Sequence, residues 1–155
     1  MFKPGSKAPA FSLSSDKGGI VSLTDLKGTK VVLYFYPKDD TSGCTVEACE
    51  FRGSWKAVQA AGATVLGVSP DSTRSHQTFK RKYRLPFPLL SDPDHAVAAA
   101  YGAWGEKSMY GRKYMGILRS TVVIDEKGRV LHHFEKVRPK GHAAEVLAVL
   151  HADVR

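Results

Sequence analysis

Cysteine is nearly absent from this chain: 155 residues hold two, Cys44 and Cys49, five positions apart. So few exclude the disulfide framework of a small secreted scaffold. Their C-x4-C spacing is not the C-x2-C of most structural zinc sites, and no second cysteine pair or tight histidine cluster completes four ligands. His132 and His133 are adjacent, so in a strand they point to opposite faces and read as packing or surface residues. The C-x-x-C of thioredoxin-type redox pairs is missing as well. Neither a metal nor a cofactor is called for. No apolar run approaches the ~20 residues of a membrane span. The opening "MFKPGSKAPAF" lacks the long apolar segment of a secretory signal. The expectation is a cytoplasmic protein with no membrane partner, whose thiols the surroundings keep reduced. Repeats, low-complexity tracts and long linkers are lacking too, and the length suits one domain spanning 1–155.

Acidic residues are outnumbered, 15 against 23 Lys and Arg, for a net charge of +8. The basic residues gather in "KRKYR" (80–84) and "KSMYGRKYMGILR" (107–119). No nucleic-acid-binding motif accompanies them. They read as a solvated helix face and a surface loop, with no nucleic-acid partner.

What the chain does have is a regular alternation of patterns. "KVVLYFY" (30–36) and "ATVLGVS" (63–69) are continuous apolar, β-branched runs, the signature of strands buried on both faces. "FPLL" (87–90) is a short strand, and 120–135 reads as two strands about a turn at 126–128. Between them fall helical patterns at 44–61, 72–84, 95–104 and 141–153. Asp71 or Ser72 caps the second, and Asp92 or Asp94 the third. Strands alternating with helices predict an α/β layer fold around a mixed sheet with a parallel core. Residues 104–119 show little periodicity and read as a surface loop near a site, with Trp104, Tyr110 and Tyr114 as candidates for its mouth.

Both cysteines fall just after the first buried strand. Ligands in open α/β sheets bind beyond the carboxyl ends of strands. Cys44 lies there, in the first turn of the following helix, where the free N–H groups and macrodipole favour a negative group such as a thiolate. On the helix Cys44 continues the apolar stripe of Ala48, Phe51, Trp55 and Val58, whereas Cys49 falls on the polar side with Arg52 and Lys56. Five helical residues rise about 7.5 Å and turn about 140°, which sets the two Cα atoms roughly 8–9 Å apart. A disulfide requires less than about 7 Å. The pair can therefore join only if the helix unwinds, which suggests a protected nucleophile and an exposed partner separated by a conformational step. A peroxidase, a disulfide oxidoreductase or isomerase, and a non-catalytic redox sensor or binding module all remain open on these grounds.

The stretch "YPKDDTSGCTVEAC" resembles the peroxiredoxin active-site motif P-x-x-x-T-x-x-C, here Pro37, Thr41 and Cys44. "CTVEAC" is similar to the bacterioferritin-comigratory-protein (PrxQ) branch, and "PGSKAPAFSL", "GVSPDS", "FPLLSDPD" and "LRSTVVID" extend the likeness along nearly the whole chain. The resemblance implies a thioredoxin-like α/β fold, with a central mixed sheet flanked by helices. It also implies a thiol-dependent peroxidase acting on hydrogen peroxide and organic hydroperoxides, recycled by thioredoxin or a similar dithiol. In it Cys44 is the peroxidatic thiol and Cys49 the resolving one. Thr41 hydrogen-bonds peroxide and thiolate, Pro37 shields the site from water, Arg119 holds the thiolate and reacting oxygens, and Glu47 orients Arg119. With both thiols in one chain, it implies a monomer.

Overall fold

The computed structural model describes residues 2–153. In chain order its elements are strands β1 (Ser12–Ser15), β2 (Ile20–Ser22) and β3 (Lys30–Phe35), helices α1 (Ser42–Gly53) and α2 (Trp55–Ala60), strand β4 (Ala63–Ser69), helix α3 (Thr73–Tyr83), strand β5 (Leu89–Ser91), helix α4 (Ala96–Ala100), strands β6 (Trp104–Met109), β7 (Arg112–Ile117), β8 (Ser120–Ile124) and β9 (Val130–Phe134), and helix α5 (His142–Ala152). A 3-10 turn, Leu23–Leu26, follows β2.

Seven strands form one mixed sheet in the order β2-β1-β5-β4-β3-β8-β9. β3 runs parallel to β4 and antiparallel to β8, so Val32 faces Val65 on one side and Val123 on the other. This is the predicted mixed sheet with a parallel centre, flanked by helices. Every residue of β3 is buried. Its side chains alternate, as the pleat demands. Val31, Leu33 and Phe35 enter one core with Ala98 of α4 and Leu23. Val32 and Tyr34, with Tyr36 just beyond the strand, enter the other with Cys44, Ala48 and Phe51 of α1, Phe79 of α3 and Val146 of α5. An uninterrupted apolar run is what burial on both faces requires.

Three expectations need correction. The helix read as 44–61 is two helices, broken at Ser54 (φ −97°, ψ 4°), where Gly53 and Ser54 weaken helical continuity. The helix read as 95–104 is a short α4, and Trp104 instead opens β6. Residues 104–119 are not an irregular loop. β6 and β7 pair as a two-stranded hairpin, from Trp104 opposite Ile117 to Met109 opposite Arg112. Its turn places Tyr110 (φ 51°) and Gly111 (φ 78°) in the left-handed region, as tight hairpin turns do. Most of its side chains are at least partly exposed, so no apolar alternation announced it. Strands β1 and β2 also went unforeseen, being three or four residues long and rich in serine.

Ser72 is the cap of α3, its hydroxyl accepting from Ser75 N at 3.1 Å. At α4 the capping is done from a distance. Asp92 accepts from Val97 and Ala98 N, and Asp94 from Ala96 N, while His95 holds the first position in a left-handed conformation.

Packing beneath α1 leaves no spare volume at Gly67 of β4. A Cβ there would lie 2.9 Å from both the Tyr34 ring and Leu89 Cδ2. Both neighbours are fully buried and cannot swing aside. Gly67→Ala is expected to cost about 1–3 kcal/mol of stability by overpacking, measured as a lower urea midpoint at unchanged m-value.

Candidate active site

β3 ends by running into a proline. Tyr36 N still donates to Val68 O, but half-buried Pro37 has no N–H to continue the ladder. The chain then folds into a short loop whose turns are held by side chains. Thr41 donates its hydroxyl to Lys38 O at 2.9 Å, and Asp40 adopts φ 58°. Thr41 returns to extended backbone (φ −93°, ψ 158°) as the N-cap of α1, and its carbonyl accepts the Thr45 N–H at 2.8 Å. Its one hydroxyl proton is thereby committed to Lys38, which leaves the Thr41 oxygen its acceptor lone pairs.

Cys44 lies in the first turn of α1 and is 1% exposed. Its sulfur meets Arg119, whose Nη2 donates to Sγ at 3.2 Å. Arg119 comes from the short link between β7 and β8. That link is pinned by backbone bonds from Leu118 N to Ala103 O and from Val137 N to Arg119 O. The other arm of the guanidinium, Nη1, donates to Glu47 Oε1 at 2.7 Å. Cys44 and Glu47 are three residues apart on α1 and therefore neighbours on one face. One planar fork thus spans the thiol and the carboxylate, a geometry that arginine supplies and lysine does not. Gly43 leaves room for it, since a Cβ there would stand 3.2 Å from Arg119 Nη2 and 3.3 Å from Pro139 Cγ.

The electrostatics are those of buried charge. Glu47 is 0% exposed, and burial pushes its carboxyl up to about 7 against the opposing pull of Arg119. Oε2 has no hydrogen-bond partner among the described residues, which is why desolvation prevails. Burial pulls Arg119 down, but Glu47 and Cys44 together leave it above its ordinary value. Lys107 on β6 responds to the same charges: burial and the repulsion of Arg119 lower it, while Cys44 raises it. A second cation therefore lies within electrostatic range of the thiol.

The structure brings Cys44, Glu47 and Arg119 together, with Thr41 and Pro37 on the loop that leads in. Cys49 sits in the same helix, and neither cysteine is in a disulfide. It is half-buried rather than exposed, a correction to the sequence reading. The three aromatic candidates do not behave alike. Trp104 stacks flat on His95 at 3.6 Å, Tyr110 is 99% exposed at the hairpin tip, and Tyr114 lies across from Lys107.

Two features escaped the sequence. Lys107 was hidden because its strand read as a loop. The other is a polar knot that anchors the loop. Asp39 Oδ1 accepts from the Tyr36 hydroxyl at 2.6 Å, and Oδ2 meets His76 Nδ1 at 2.7 Å and accepts from Ser75 Oγ at 2.8 Å. Asp39 N donates to Asp71 Oδ2 at 2.8 Å. Asp39, Asp71 and His76 present donor atoms within 4.8 Å of one another, the spacing of a cation site. However, both oxygens of Asp39 and both nitrogens of His76 already face protein partners. The paired aspartates after Pro37 were the only hint, and nothing local distinguishes them from a solvated turn.

The AhpC/TSA family profile matches residues 4–133. The chain belongs to the AhpC/TSA family. Peroxiredoxin Bcp of Bacillus subtilis is 49% identical over 146 residues, spanning 94% of this chain and 93% of that protein. Peroxiredoxin Q of Xanthomonas campestris superposes with a TM-score of 0.89 at 42% identity, covering 94% and 92% of the two chains. A second structure from that organism, described as a trapped intermediate/ligand complex bearing on alkyl peroxide reduction by its bacterioferritin comigratory protein, gives 0.87 at 42%, covering 92% and 90%. These relatives place the chain in the Bcp/PrxQ branch of the peroxiredoxins, with a thioredoxin-like fold.

Glu47 makes this peroxiredoxin's stability depend on pH. Its carboxyl titrates near 4.5 when exposed and about 7 in the fold. A carboxyl raised on folding contributes fully below the lower value and loses that contribution as pH climbs through the upper one. Between pH 4.5 and 7 the wild type is expected to lose up to about 3 kcal/mol relative to Glu47→Gln. Urea unfolding of both proteins at pH 5 and pH 8 measures the difference.

Proposed function

We propose that this chain is a peroxidase in which the Cys44 thiolate attacks the terminal oxygen of hydrogen peroxide or an organic hydroperoxide. The observation that carries the reading is the Arg119 fork, which places a fixed cation against Sγ and is itself held by buried Glu47. Attack forms an S–O bond and breaks the O–O bond. Cys44 leaves as a sulfenic acid, and the departing oxygen takes a proton and goes as water or an alcohol. Negative charge moves from sulfur to the leaving oxygen during this step. Arg119 and the free N–H groups of α1 face that charge in a site that is already organised before reaction. Thr41 accepts a hydrogen bond from the peroxide, and Pro37 covers one side. The X. campestris structure described in terms of alkyl peroxide reduction supports hydroperoxides as substrates.

Cys49 is the resolving thiol in this reading. Its sulfur displaces the sulfenic oxygen as water and forms the Cys44–Cys49 disulfide. A dithiol reductant of thioredoxin type then exchanges with that disulfide, restoring both thiols and becoming oxidised itself. The sum is hydroperoxide plus dithiol giving alcohol, water and disulfide. Helical geometry forbids the bond while α1 is intact. α1 is suited to opening. Its sequence, SGCTVEACEFRG, has two glycines and several residues of low helix propensity, and its N-cap side chain makes no capping bond. Because both thiols lie in one chain, the cycle needs no second subunit, and we read the protein as a cytoplasmic monomer in a compartment that supplies the reductant.

Cys44→Ser is expected to lower peroxide turnover on the order of a thousandfold or more, since the nucleophile is lost. Wild-type activity in that variant would overturn the mechanism. Cys49→Ser is expected to accumulate sulfenic acid at Cys44, detectable by mass spectrometry with a sulfenate trap. Normal turnover of that variant with thioredoxin would remove Cys49 from the cycle. In the oxidised wild type, amides of residues 44–51 are expected to exchange faster than in the reduced protein.

A further inference from the structure

The segment that carries both cysteines is tied at its two ends to one residue outside it. Before α1, Asp40 sits in the left-handed region at φ 58°, which is strained for most side chains and tolerated best by Asn and Asp. Its carboxylate accepts from the Tyr83 hydroxyl at 2.7 Å and from Lys82 Nζ at 2.7 Å. At the far end of α1, Arg52 Nη1 donates to the Tyr83 carbonyl at 2.6 Å. Tyr83 is the last residue of α3, which Arg84 ends by turning left-handed at φ 53°. Its carbonyl is therefore one of the acceptors left open at a helix C-terminus, where a cation is favoured. The Tyr83 ring packs edge-on against Phe79, which is buried in the same core as Cys44.

The ties inside the segment are of another kind. Arg119 holds Cys44 and Glu47, and Glu50 Oε1 accepts from Gly141 N at 2.8 Å. Those bonds are made by Cys44, Glu47 and Glu50, in or next to the stretch between the two thiols, whereas the bonds to Tyr83 are made by Asp40 and Arg52 on either side of it.

We propose that Tyr83 is a positioning residue that clamps both ends of the catalytic segment, Asp40 through its hydroxyl and Arg52 through its carbonyl, so that opening of α1 is confined to residues 41–51. The consequence for turnover rests on Cys49 being the resolving thiol; the clamp itself does not. The loop from Pro37 to Asp40 stays in place while the helix opens, and α1 refolds against a peroxide site still aligned. Both contacts to the Asp40 carboxylate are solvent-exposed; the Lys82 contact is an ion pair screened by salt, whereas the Tyr83 hydroxyl is carried on a ring packed against Phe79.

The test uses full-length protein and three variants. Tyr83→Phe removes one hydroxyl and keeps the ring and the carbonyl. Asp40→Ala removes the acceptor and tolerance of the left-handed turn, while Asp40→Asn keeps both. Hydrogen exchange of the reduced proteins is expected to show residues 38–41 exchanging roughly three- to tenfold faster in Tyr83→Phe and Asp40→Ala, with Asp40→Asn near wild type. Stopped-flow measurement is expected to show the peroxide step slowed by a similar factor while disulfide formation is unchanged or faster. Unchanged exchange at 38–41 in Tyr83→Phe would overturn the clamp. So would a parallel fall of both rate constants that Asp40→Asn shares, since that marks a merely structural role. Peptide mapping of oxidised wild type separates the underlying reading. Absence of a Cys44–Cys49 disulfide refutes the role of Cys49, and the exchange comparison still decides the clamp.

Discussion

The fork of Arg119 between Cys44 Sγ and Glu47 Oε1 is the contact on which the rest of this molecule is organised. A guanidinium brought this far out of water is costly unless its charge is answered nearby. Glu47 answers it, at the cost of being buried itself with one oxygen unpartnered among the described residues. Arg119 in turn offsets part of the burial that raises the Glu47 carboxyl to about 7. The fold meets the demand by delivering the two from different directions, Glu47 from a helix after β3 and Arg119 from the link before β8. Those two strands are adjacent in the sheet, so neighbouring strands set the distance between the partners.

That dependence explains several local features. Gly43 leaves the guanidinium its space, and the proline after β3 turns the chain out of the ladder toward α1. The polar knot at Asp39 fixes the loop without using Arg119 or Glu47. Electrostatics and mobility are thus divided between elements. The cation is anchored on the link that enters β8, and Cys44 rides on a helix with glycine at both ends and no side-chain cap bond.

Much of this was legible in the sequence, for identifiable reasons. β3 and β4 declared themselves because strands buried on both faces have nowhere to put a polar residue. Cys44 was legible because the motif around it must combine a strand end, a proline and a helix start. Glu47 and Arg119 came through the likeness to a family, since nothing in "LRST" alone says that its arginine reaches 75 positions back. The hairpin of β6 and β7 was not legible, because strands with mostly exposed side chains carry no alternation to detect. With it went Lys107. The ties from Asp39 and Asp40 to α3 were illegible for another reason: contacts over 30 or 40 positions depend on where the chain returns, and two aspartates in a loop are ordinary by composition.

The floor under α1 has a thermal consequence. Tyr34 stacks beside Tyr36 and lies 5.0 Å from Phe51 by ring centroids, so α1 covers a continuous aromatic surface. Opening the helix hydrates that surface, and hydrating apolar area adds heat capacity. In the proposed cycle, the enthalpy of passing from dithiol to disulfide then drifts with temperature, and the reduction potential of the pair follows a curve rather than a line. In that cycle the redox poise of the pair depends on temperature as well as on the reductant.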